Sequence, residues 1–354
     1  MAKTYKRLFE SVVSFENLWL AWKKARRGKR CAPSAAQFDL AAEEGLLQLQ
    51  EELASGTWTP GAYRNFMIHE PKKRLISAAP FRDRVVHHAV VNILEPIWEA
   101  RFSQASYACR KGKGTHAAVD RAHWGIRNCA YYLKGDIVKF FPSVDHEILL
   151  GVLGRKVGDE RLMSLLRAIV ASGREVVHED VPVLHFAGDD LFSPHARARG
   201  LPIGNLTSQF FANVLLNELD QFVHREIRPR AYVRYADDFV LFDSDKGKLL
   251  EACPRVLRFL EDLRLRGHPR KTALRAASQG LRFLGFRLMP STRRVSRESI
   301  SRFRRRMRKF RAMRRQGEGM DSRRVTASVR GWLAHAKCAN SHTLIREVLA
   351  DVSC

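Results

Sequence analysis

Two adjacent carboxylates, Asp237 and Asp238, interrupt a stretch rich in aromatic and β-branched residues that runs from 231 to 242. The flanking runs are typical of β-strands, which would put both acids at the tip of a hairpin. A plain turn also favours Asp, but it rarely sets two of them between Tyr235 and Phe239 without Gly, Asn or Pro. Carboxylates on a rigid tip offer the hard oxygen ligands that Mg²⁺ prefers. The pair therefore predicts a metal site, with a third carboxylate elsewhere in the chain.

The third carboxylate is predicted to be Asp136, which follows an apolar run at 131–135 that is typical of a strand. An acid at the end of one strand, beside two acids on a hairpin, can hold two divalent metals and support an in-line phosphoryl displacement. The three acids therefore indicate metal-assisted phosphoryl transfer.

The run Tyr235-Ala236-Asp237-Asp238, together with Asp136 and an aromatic residue five positions after it, resembles the palm of reverse transcriptases. The resemblance implies an α+β fold of the right-hand polymerase type. Such a fold has fingers, a palm built as an antiparallel sheet backed by helices, and a helical thumb. The implied activity is that of an RNA-directed DNA polymerase, which is a nucleotidyltransferase that uses two Mg²⁺ ions.

The same resemblance implies roles around the three acids. Asp136 and Asp237 would be ligands to the metals, the backbone carbonyl of Ile137 would be a further ligand, and Asp238 would balance charge and orient the others. Phe141 would stack under the deoxyribose and exclude a 2′-hydroxyl. A DNA product is therefore expected.

The resemblance also divides the chain into three expected regions, which are an N-terminal helical extension (1–60), the fingers and palm (61–289) and an arginine-rich helical thumb (290–354). In the extension we expect one amphipathic helix within residues 1–30, N-capped by Ser14, and a second helix from Ala35 to Leu53 that closes at Ser55 and Gly56.

A basic hairpin is expected next, because residues 63–69 alternate as a strand does, residues 70–73 form a turn with Lys72, and Arg74 begins a return strand. A basic hairpin is more often plain surface, although a guanidinium can hold phosphate oxygens bidentately. The run that begins at Pro71, with the later run from Pro80, resembles the fingers of retron, group II intron and diversity-generating retroelement polymerases. That resemblance implies that Arg74 contacts the incoming nucleotide.

The segment 106–118 places three cations, Arg110, Lys111 and Lys113, beside two glycines ahead of a predicted helix. Glycine lets the backbone approach a phosphate, and a helix N-terminus adds amide donors. The spacing of a Walker loop is absent. The segment resembles the fingers loop that lies along the template, so the cations are expected to position phosphates without reading sequence.

A glycine-bounded loop at 200–205 precedes a long predicted helix. Most reverse transcriptases that resemble this chain have Gln before the second glycine and Pro after the serine, where this chain has Ile203 and Gln209. The run Leu-Pro-Ile-Gly-Asn-Leu-Thr-Ser-Gln resembles the polymerases of diversity-generating retroelements, which copy a template RNA with errors concentrated at adenines. Ile203, Gly204 and Gln209 are thus expected at the nascent base pair, and losing an amide there should weaken base discrimination.

A rival acidic pair, Asp189 and Asp190, follows Gly188 and has no matching strand elsewhere, so we interpret it as a solvated turn. Further on, Lys271 resembles the lysine that protonates the leaving pyrophosphate, and an exposed lysine without a role is an equal alternative.

The run from 281 to 286 resembles the primer grip, in which Leu284, Gly285 and Phe286 would bear on the growing end. From 287 to 330 the chain holds fifteen Arg and one Lys beside apolar residues at three- and four-residue steps. This pattern predicts an amphipathic helix with a phosphate-binding arginine face. The region resembles a helical thumb that straddles the template–product duplex, which implies that an A-form hybrid is bound by its backbone and shape.

The chain of 354 residues carries 62 Lys and Arg against 37 Asp and Glu, a net charge of +25, which predicts a polyanionic partner. Nucleic acid is favoured over an anionic membrane surface, and no apolar run approaches the length of a membrane span. Six scattered cysteines without a Cys-x-x-Cys pair disfavour a zinc site or a disulfide framework. Because no signal peptide is visible either, the cysteines favour a protein of a reduced cytoplasm. We expect the protein to be bacterial or phage-encoded.

The expected partners are a template RNA, its cDNA and deoxynucleoside triphosphates, and the resemblance adds a basic, pentameric accessory variability protein. Two alternatives stay open. The first is a retron or group II intron type of reverse transcriptase, disfavoured by Ile203 and Gln209 and by a chain expected to end at the thumb, without room for an endonuclease. The second is a catalytically idle RNA-binding or maturase-like protein, against which the three acids argue.

Overall fold

The computed structural model describes residues 4–69, 73–176, 183–316 and 321–353. The helices are α1 (Leu8–Val13), α2 (Phe15–Ala25), α3 (Pro33–Leu40), α4 (Ala42–Ser55), α5 (Phe81–Glu99), α6 (Thr115–Asn128), α7 (Phe140–Ser143), α8 (His146–Gly154), α9 (Glu160–Ala171), α10 (Ser193–Ala196), α11 (Leu206–Phe222), α12 (Lys246–Asp262), α13 (Arg297–Arg315), α14 (Ser322–Ala336) and α15 (His342–Ser353). The strands are β1 (Arg64–Ile68), β2 (Arg74–Ala78), β3 (Tyr131–Gly135), β4 (Ala231–Tyr235), β5 (Asp238–Asp243), β6 (Ala273–Ala276), β7 (Leu281–Phe283), β8 (Phe286–Leu288) and β9 (Arg293–Val295).

The chain forms two compact units, and each is assembled from three separate stretches of sequence. The first unit contains Met1–Gln104, Ile137–Phe222 and Arg255–His268, and the second contains Ala105–Asp136, Val223–Pro254 and Pro269–Cys354. Helices and antiparallel sheets occur together, as an α+β fold requires. The division at residues 60 and 289, and the names fingers, palm and thumb, stay predictions.

Residues 1–30 contain two helices where one was predicted: α2 begins directly after Ser14, as predicted, and only the short helix α1 was not expected. Ser14 separates them with an extended backbone (φ −60°, ψ 142°), and its hydroxyl accepts a hydrogen bond from the Asn17 N–H at 3.3 Å. Ser14 is therefore confirmed as the N-cap of α2. The same residue ends α1, because an N-cap leaves the helical region of backbone space.

The second helix, predicted for 35–53, is also divided. Ala41 (φ −132°, ψ 46°) interrupts it between α3 and α4. The ring of Phe38 lies 3.1 Å from the position that a Cβ on Gly45 would take, so the break allows this ring to pack close to α4. Helix α4 ends, as predicted, at Gly56 in a left-handed conformation (φ 75°).

Helix α5 is the centre of the first unit, where it packs against α1, α2 and α11. The buried side chain of Asn17 in α2 connects this helix to α1 and α5, because its Nδ2 donates to Val12 O of α1 at 2.9 Å and to Ala89 O of α5 at 3.1 Å. A buried amide with satisfied donors fixes how these helices approach one another.

Strands β1 and β2 form the antiparallel hairpin that the alternating sequence predicts. Arg64 pairs with Ala78 at one end, and Ile68 pairs with Arg74 at the other. The turn at 70–72, which includes the predicted phosphate-binding Lys72, lies outside the described residues.

The second unit is built on a four-stranded antiparallel sheet in the order β4-β5-β3-β6. Its apolar side chains, including Val240 and Phe242, form one core with α6. A Cβ at Gly125 of α6 would lie 2.6 Å from the Phe242 ring. The glycine therefore allows the helix to approach the sheet closely enough to cover it.

Strands β7, β8 and β9 form a smaller antiparallel sheet, and helices α13 to α15 complete the second unit. The predicted apolar seam of α13 is confirmed: Phe303 and Met307 are buried, and the Phe303 ring stacks on Trp332 of α14 at a centroid distance of 4.4 Å. Among the described residues, no helix combines the length and the apolar composition that a membrane span needs.

Candidate active site

The three predicted metal-binding acids lie at one end of the four-stranded sheet of the second unit. Strand β3 pairs with β5 so that Gly135 faces Phe239, and Asp136 is the next residue along β3. Asp238 begins β5 and pairs with Tyr235 of β4, with Asp237 in the turn between these strands. The predicted strand before Asp136 and the predicted acidic hairpin are therefore confirmed, and antiparallel pairing brings both to the same end of the sheet.

Gly135 explains how Asp136 is placed. A Cβ at residue 135 would overlap the ring of Phe239, so only glycine lets this ring lie across β3 one residue before the acid. Asp136 itself is buried, with 6% of its surface exposed. The sequence thus combines a large ring on one strand with a glycine on its neighbour, and the acid follows directly.

Arg234 fixes the turn that carries Asp237, and sequence reasoning did not assign it a role. Its side chain is fully buried in β4, and its guanidinium donates to Ala236 O at 3.2 Å and to Ser106 Oγ at 2.9 Å. Ala236 has a left-handed backbone (φ 53°), which is uncommon for alanine. A charged residue within an otherwise apolar strand was the available signal, because a buried arginine must satisfy its donors.

Two lysines neutralise acids of the site. Lys271 Nζ forms an ion pair with Asp136 Oδ2, and Lys134 Nζ lies 3.4 Å from Asp238 Oδ1. The Asp136 side chain is 8% exposed, whereas that of Lys271 is 46% exposed. Two of the three acids are therefore paired with lysines, and the buried Asp136 is paired with one that is partly exposed to solvent.

The donor set fits Mg²⁺ in its chemistry, because carboxylate oxygens are the ligands this ion takes. Within the described part of the chain, no group of three or more His, Cys, Asp or Glu side chains is arranged to hold a metal ion. The ammonium groups of Lys271 and Lys134 lie against two of the three acids. The three-carboxylate metal site thus stays a prediction.

Lys134 also connects the acidic edge to the next hairpin. Its Nζ donates to Arg282 O at 3.2 Å and lies 6.0 Å from the centroid of the Phe283 ring. Asp238 and strand β7 therefore share one cation. The sequence offered little signal for this contact, since residues 134 and 282 are far apart along the chain.

The predicted primer grip is a two-residue hairpin between β7 and β8. Leu284 (φ 47°) and Gly285 (φ 86°) both have left-handed backbones, as a tight β-hairpin turn requires. Phe286 is fully buried and lies 4.2 Å, centroid to centroid, from the His335 ring, and burial lowers the pKa of His335. A primer contact at Phe286 would therefore be made by its backbone, and the predicted role of the three hairpin residues is untested.

Two cations of the predicted template loop contact other residues of the same loop. Arg110 is 9% exposed and its guanidinium donates to Ser106 O at 3.0 Å, while Lys113 Nζ lies 5.0 Å from the centroid of the Tyr107 ring. Lys111 is exposed. Of the three cations, Lys111 is thus the most accessible to a phosphate, and Arg110 mainly supports the loop.

The residues predicted to contact the nucleotide belong to the first unit. Arg74, Gly204 and Gln209 are exposed, Phe141 and Ile203 are half-buried, and Ile137 is buried. The loop that contains Ile203 is bonded to the short helix α7, which contains Phe141, since the Leu201 N–H donates to Phe141 O at 2.8 Å. These roles also stay predictions.

The rival pair is a turn, as predicted, but it is not simply solvated. Asp189 forms an ion pair with Arg197 that leaves its side chain 7% exposed, and it accepts a hydrogen bond from the Phe186 N–H at 2.7 Å. Asp190 accepts from the Ser193 N–H at 2.6 Å at the start of α10. Asp189 is thus shielded by Arg197, whereas Asp190 and the two residues after it are exposed, so the turn is solvated on that side, as predicted.

Comparison with known sequences decides the family. A family model described as reverse transcriptase (RNA-dependent DNA polymerase) matches residues 68–288, which is more than half of the chain and includes all three acids. The chain belongs to the reverse transcriptase family. This makes it a nucleotidyltransferase, and reverse transcriptases take an RNA template and deoxynucleoside triphosphates and generally use divalent metal ions.

Individual relatives of this reverse transcriptase include Protein YkfC of Escherichia coli (strain K12), 28% identical over 281 residues in an alignment that covers 68% of this chain and 70% of that protein. The group II intron-encoded protein LtrA of Lactococcus lactis subsp. cremoris is 24% identical over 227 residues, and the alignment covers 62% of this chain and 36% of that protein. Nuclear intron maturase 2, mitochondrial, of Arabidopsis thaliana is 24% identical over 250 residues, and the alignment covers 58% of this chain and 33% of that protein. This reverse transcriptase therefore spans about a third of the two intron-related proteins.

Proposed function

We propose that this reverse transcriptase copies a template RNA into cDNA with Asp136, Asp237 and Asp238 as its metal-binding acids. The observation that carries the proposal is the position of Asp136 and the acidic hairpin at the same end of one antiparallel sheet, inside the region that matches the family. A protein that only bound RNA would have no need for acids on adjacent strands of a basic chain.

In this proposal Asp136 and Asp237, with the backbone carbonyl of Ile137, would hold two Mg²⁺ ions, and Asp238 would balance charge. Bound there, the ions would lower the pKa of the primer 3′-hydroxyl and neutralise the triphosphate. Lys271, paired with Asp136, is the group from which a proton reaches the leaving pyrophosphate. The buried Arg234 keeps the turn of Asp237 in place throughout.

The nucleotide is proposed to contact three parts of the first unit. Arg74 would hold phosphate oxygens with its planar guanidinium, and its exposure at the start of β2 leaves that group available. Phe141 would exclude ribonucleotides by contact with a 2′-hydroxyl. Ile203, Gly204 and Gln209 would lie at the nascent base pair.

Nucleic acid backbone is proposed to contact Lys111 and Lys113 in the loop ahead of α6, which Arg110 supports from within, and the β7–β8 hairpin would bear on the primer end. The arginine face of α13 would bind phosphates of the hybrid duplex, because its apolar face is already buried against α14. These contacts would use part of the net charge of +25 and would need no base-specific reading.

The subtype we propose is that of diversity-generating retroelements, in which copying is error-prone at template adenines. Ile203 and Gln209 support it, because the more common motif has Gln at the position of Ile203 and Pro at the position of Gln209. A basic, pentameric accessory variability protein is the partner that follows from this subtype, which mutates a target by returning the altered cDNA to it.

The deciding experiment is template-primed incorporation of deoxynucleotides by the purified chain, with an RNA template, a DNA primer and Mg²⁺. We expect extended primers, with misincorporation concentrated opposite adenine when the products are sequenced. No extension would reject the polymerase, whereas accurate extension would reject only the error-prone subtype.

A group II intron type of function is the second candidate, and the likeness to LtrA and to an intron maturase favours it. In that case the chain would bind an intron RNA and promote its splicing or mobility. Binding that persists in an Asp237→Ala variant, together with RNA splicing assistance, would support this candidate over the first.

A further inference from the structure

In the first unit, residues 203–205 lie along β2 in the way that a neighbouring strand would. The Ser77 N–H donates to Ile203 O at 2.9 Å. The side chain of Asn205 supplies the next two bonds: Oδ1 accepts from the Ala79 N–H at 3.3 Å, and Nδ2 donates to Ser77 O at 3.1 Å. The Asn205 amide thus satisfies backbone groups at the end of β2 that another strand would otherwise satisfy.

This contact is close and buried. Asn205 is 3% exposed and Ser77 is fully buried. Gly204 has φ +118°, and a Cβ at this residue would lie 2.8 Å from Ile76 Cγ2, so only glycine permits the approach. Buried hydrogen bonds of this kind set a single geometry, because an alternative position would leave their partners unsatisfied.

Asn205 occupies a position where its side chain would ordinarily serve the helix. It directly precedes α11, and its carbonyl accepts from the Gln209 N–H at 3.4 Å, as an N-cap residue does. An Asn at that position usually bonds a free N–H of the first helical turn. Here both ends of the amide bond to Ser77 and Ala79, so its geometry serves the contact between the loop and β2.

The opposite side of the same loop is also fixed. The Leu201 N–H donates to Phe141 O at 2.8 Å, and the Gly200 N–H donates to Val144 O at 2.8 Å. The loop therefore lies between the short helix α7, which carries Phe141, and the strand that begins with Arg74. Its position determines how these two residues and the loop are spaced within the first unit.

We propose that Asn205 is a positioning residue for nucleotide selection, whose side-chain amide fixes the loop of Ile203 and Gly204 to the strand of Arg74. This inference rests on the proposed function, in which those residues contact the incoming nucleotide. Asn205 itself contacts no substrate in this role. Without its amide the loop loses the bonds to Ala79 and Ser77 O and keeps the bond from the Ser77 N–H to Ile203 O, so nucleotide binding weakens and base selection changes.

The test compares Asn205→Ala and Asn205→Asp with matched changes at Asn217. Asn217 lies on the same helix, is 8% exposed, and its Oδ1 accepts from the Ser103 N–H at 3.2 Å. Asn217→Ala therefore also removes a buried amide that binds another segment, but it leaves the loop untouched. Asn205→Asp keeps the acceptor for Ala79 and replaces the Nδ2 donor with an oxygen that faces Ser77 O.

In steady-state primer extension, Asn205→Ala should raise the KM for deoxynucleoside triphosphate about 10-fold with a smaller fall in kcat, and should change the misincorporation spectrum. Asn205→Asp should do the same. Asn217→Ala should lower the melting temperature as much as Asn205→Ala does, while its KM and its misincorporation spectrum stay at wild-type values. Equal kinetic changes in the two alanine variants, or none in either, would overturn the positioning role.

Hydrogen–deuterium exchange provides a readout that needs no polymerase activity. The amide of Ala79 should exchange faster in Asn205→Ala and at the wild-type rate in Asn217→Ala. An unchanged Ala79 amide would overturn the inference. A wild-type chain that fails to extend primers would overturn the proposed function instead, and faster Ala79 exchange would then still establish that Asn205 fixes the loop to β2.

Discussion

The chain contains the same dipeptide, Asp-Asp, in two regions, and the surroundings of the two pairs differ. Asp189 and Asp190 are bonded to Arg197 and to backbone N–H groups within a few residues of themselves. Asp237 and Asp238 occupy a hairpin at the end of the four-stranded sheet, where Asp238 is half-exposed beside Lys134. We infer that the locally bonded pair stabilises its turn, whereas the pair held between strands at the end of the sheet is the one we propose for the chemistry.

The largest difference between the pairs is expected in catalysis. Asp237→Ala should abolish primer extension, a loss of about 10³-fold or more, because it removes a ligand of the proposed metals. Asp136→Asn should do the same, while RNA binding persists. Asp189→Asn and Asp190→Asn, which alter the other pair, should extend primers at rates near wild type.

A primer-extension time course with all four variants measures this difference, with RNA binding followed by filter retention. Synthesis by Asp237→Ala would refute the assignment of that acid. A comparable loss in Asp189→Asn with an intact fold would show that the two pairs do not differ as proposed.

The lysine beside Asp136 should produce the next largest effect. Lys271→Met removes the proposed proton donor, so the rate of incorporation should fall about 100-fold. Lys248→Met is the matched control in the second unit, because Lys248 Nζ lies 3.0 Å from Asp243 Oδ2, an acid at the far end of β5. Single-turnover incorporation kinetics measure both. Equal rates in the two variants would leave Lys271 as an ordinary surface lysine.

A smaller effect is expected from the loop of the first unit. Ile203→Gln restores an amide that can orient the base pair, so misincorporation opposite template adenine should fall several-fold, by about 3- to 10-fold. Sequencing of cDNA from a defined RNA template measures the change. An unaltered error spectrum would separate fidelity from this residue.

The smallest effect should appear in stability. A hydrogen bond from the Phe186 N–H, followed by the charge of Arg197, lowers the pKa of Asp189, and bonds from Ser193 lower the pKa of Asp190. A carboxyl whose folded-state pKa is lowered stabilises the fold above its unfolded-state pKa, and this stability is lost as the pH falls through the folded-state value.

Asp189→Asn should therefore lower the melting temperature at neutral pH, and its difference from wild type should disappear in acid. Thermal unfolding at a series of pH values measures this. A difference that stays constant with pH would mean that the charge of Asp189 does not contribute.

Local sequence patterns were sufficient for the parts of the site that depend on neighbouring residues. The strand before Asp136, the hairpin of Asp237 and the strand pair around Leu284 follow from alternation and turn residues, and all three are present. The start of α2 was predicted from the N-cap residue Ser14, whereas the break at Ala41 was missed because helical periodicity continues across it.

Long-range contacts could not be obtained from the sequence. The pairing of Lys271 with Asp136 and of Lys134 with Arg282 O depends on which strands become neighbours. The two units, each built from three stretches of chain, likewise depend on tertiary packing rather than on linear boundaries. Buried polar residues such as Arg234 and Asn205 give a partial signal, because a polar group in an apolar context must have a partner.

The burial of Arg234 has a consequence for a protein whose partner is a polyanion. Cations on the surface exchange their contacts for phosphates when nucleic acid binds, and salt competes with them. A guanidinium sealed from water beneath Ala236 takes no part in that exchange. The acidic hairpin should accordingly keep one shape with or without bound nucleic acid and across ionic strengths, so that salt tunes occupancy while the geometry of the reacting centre is insulated from it.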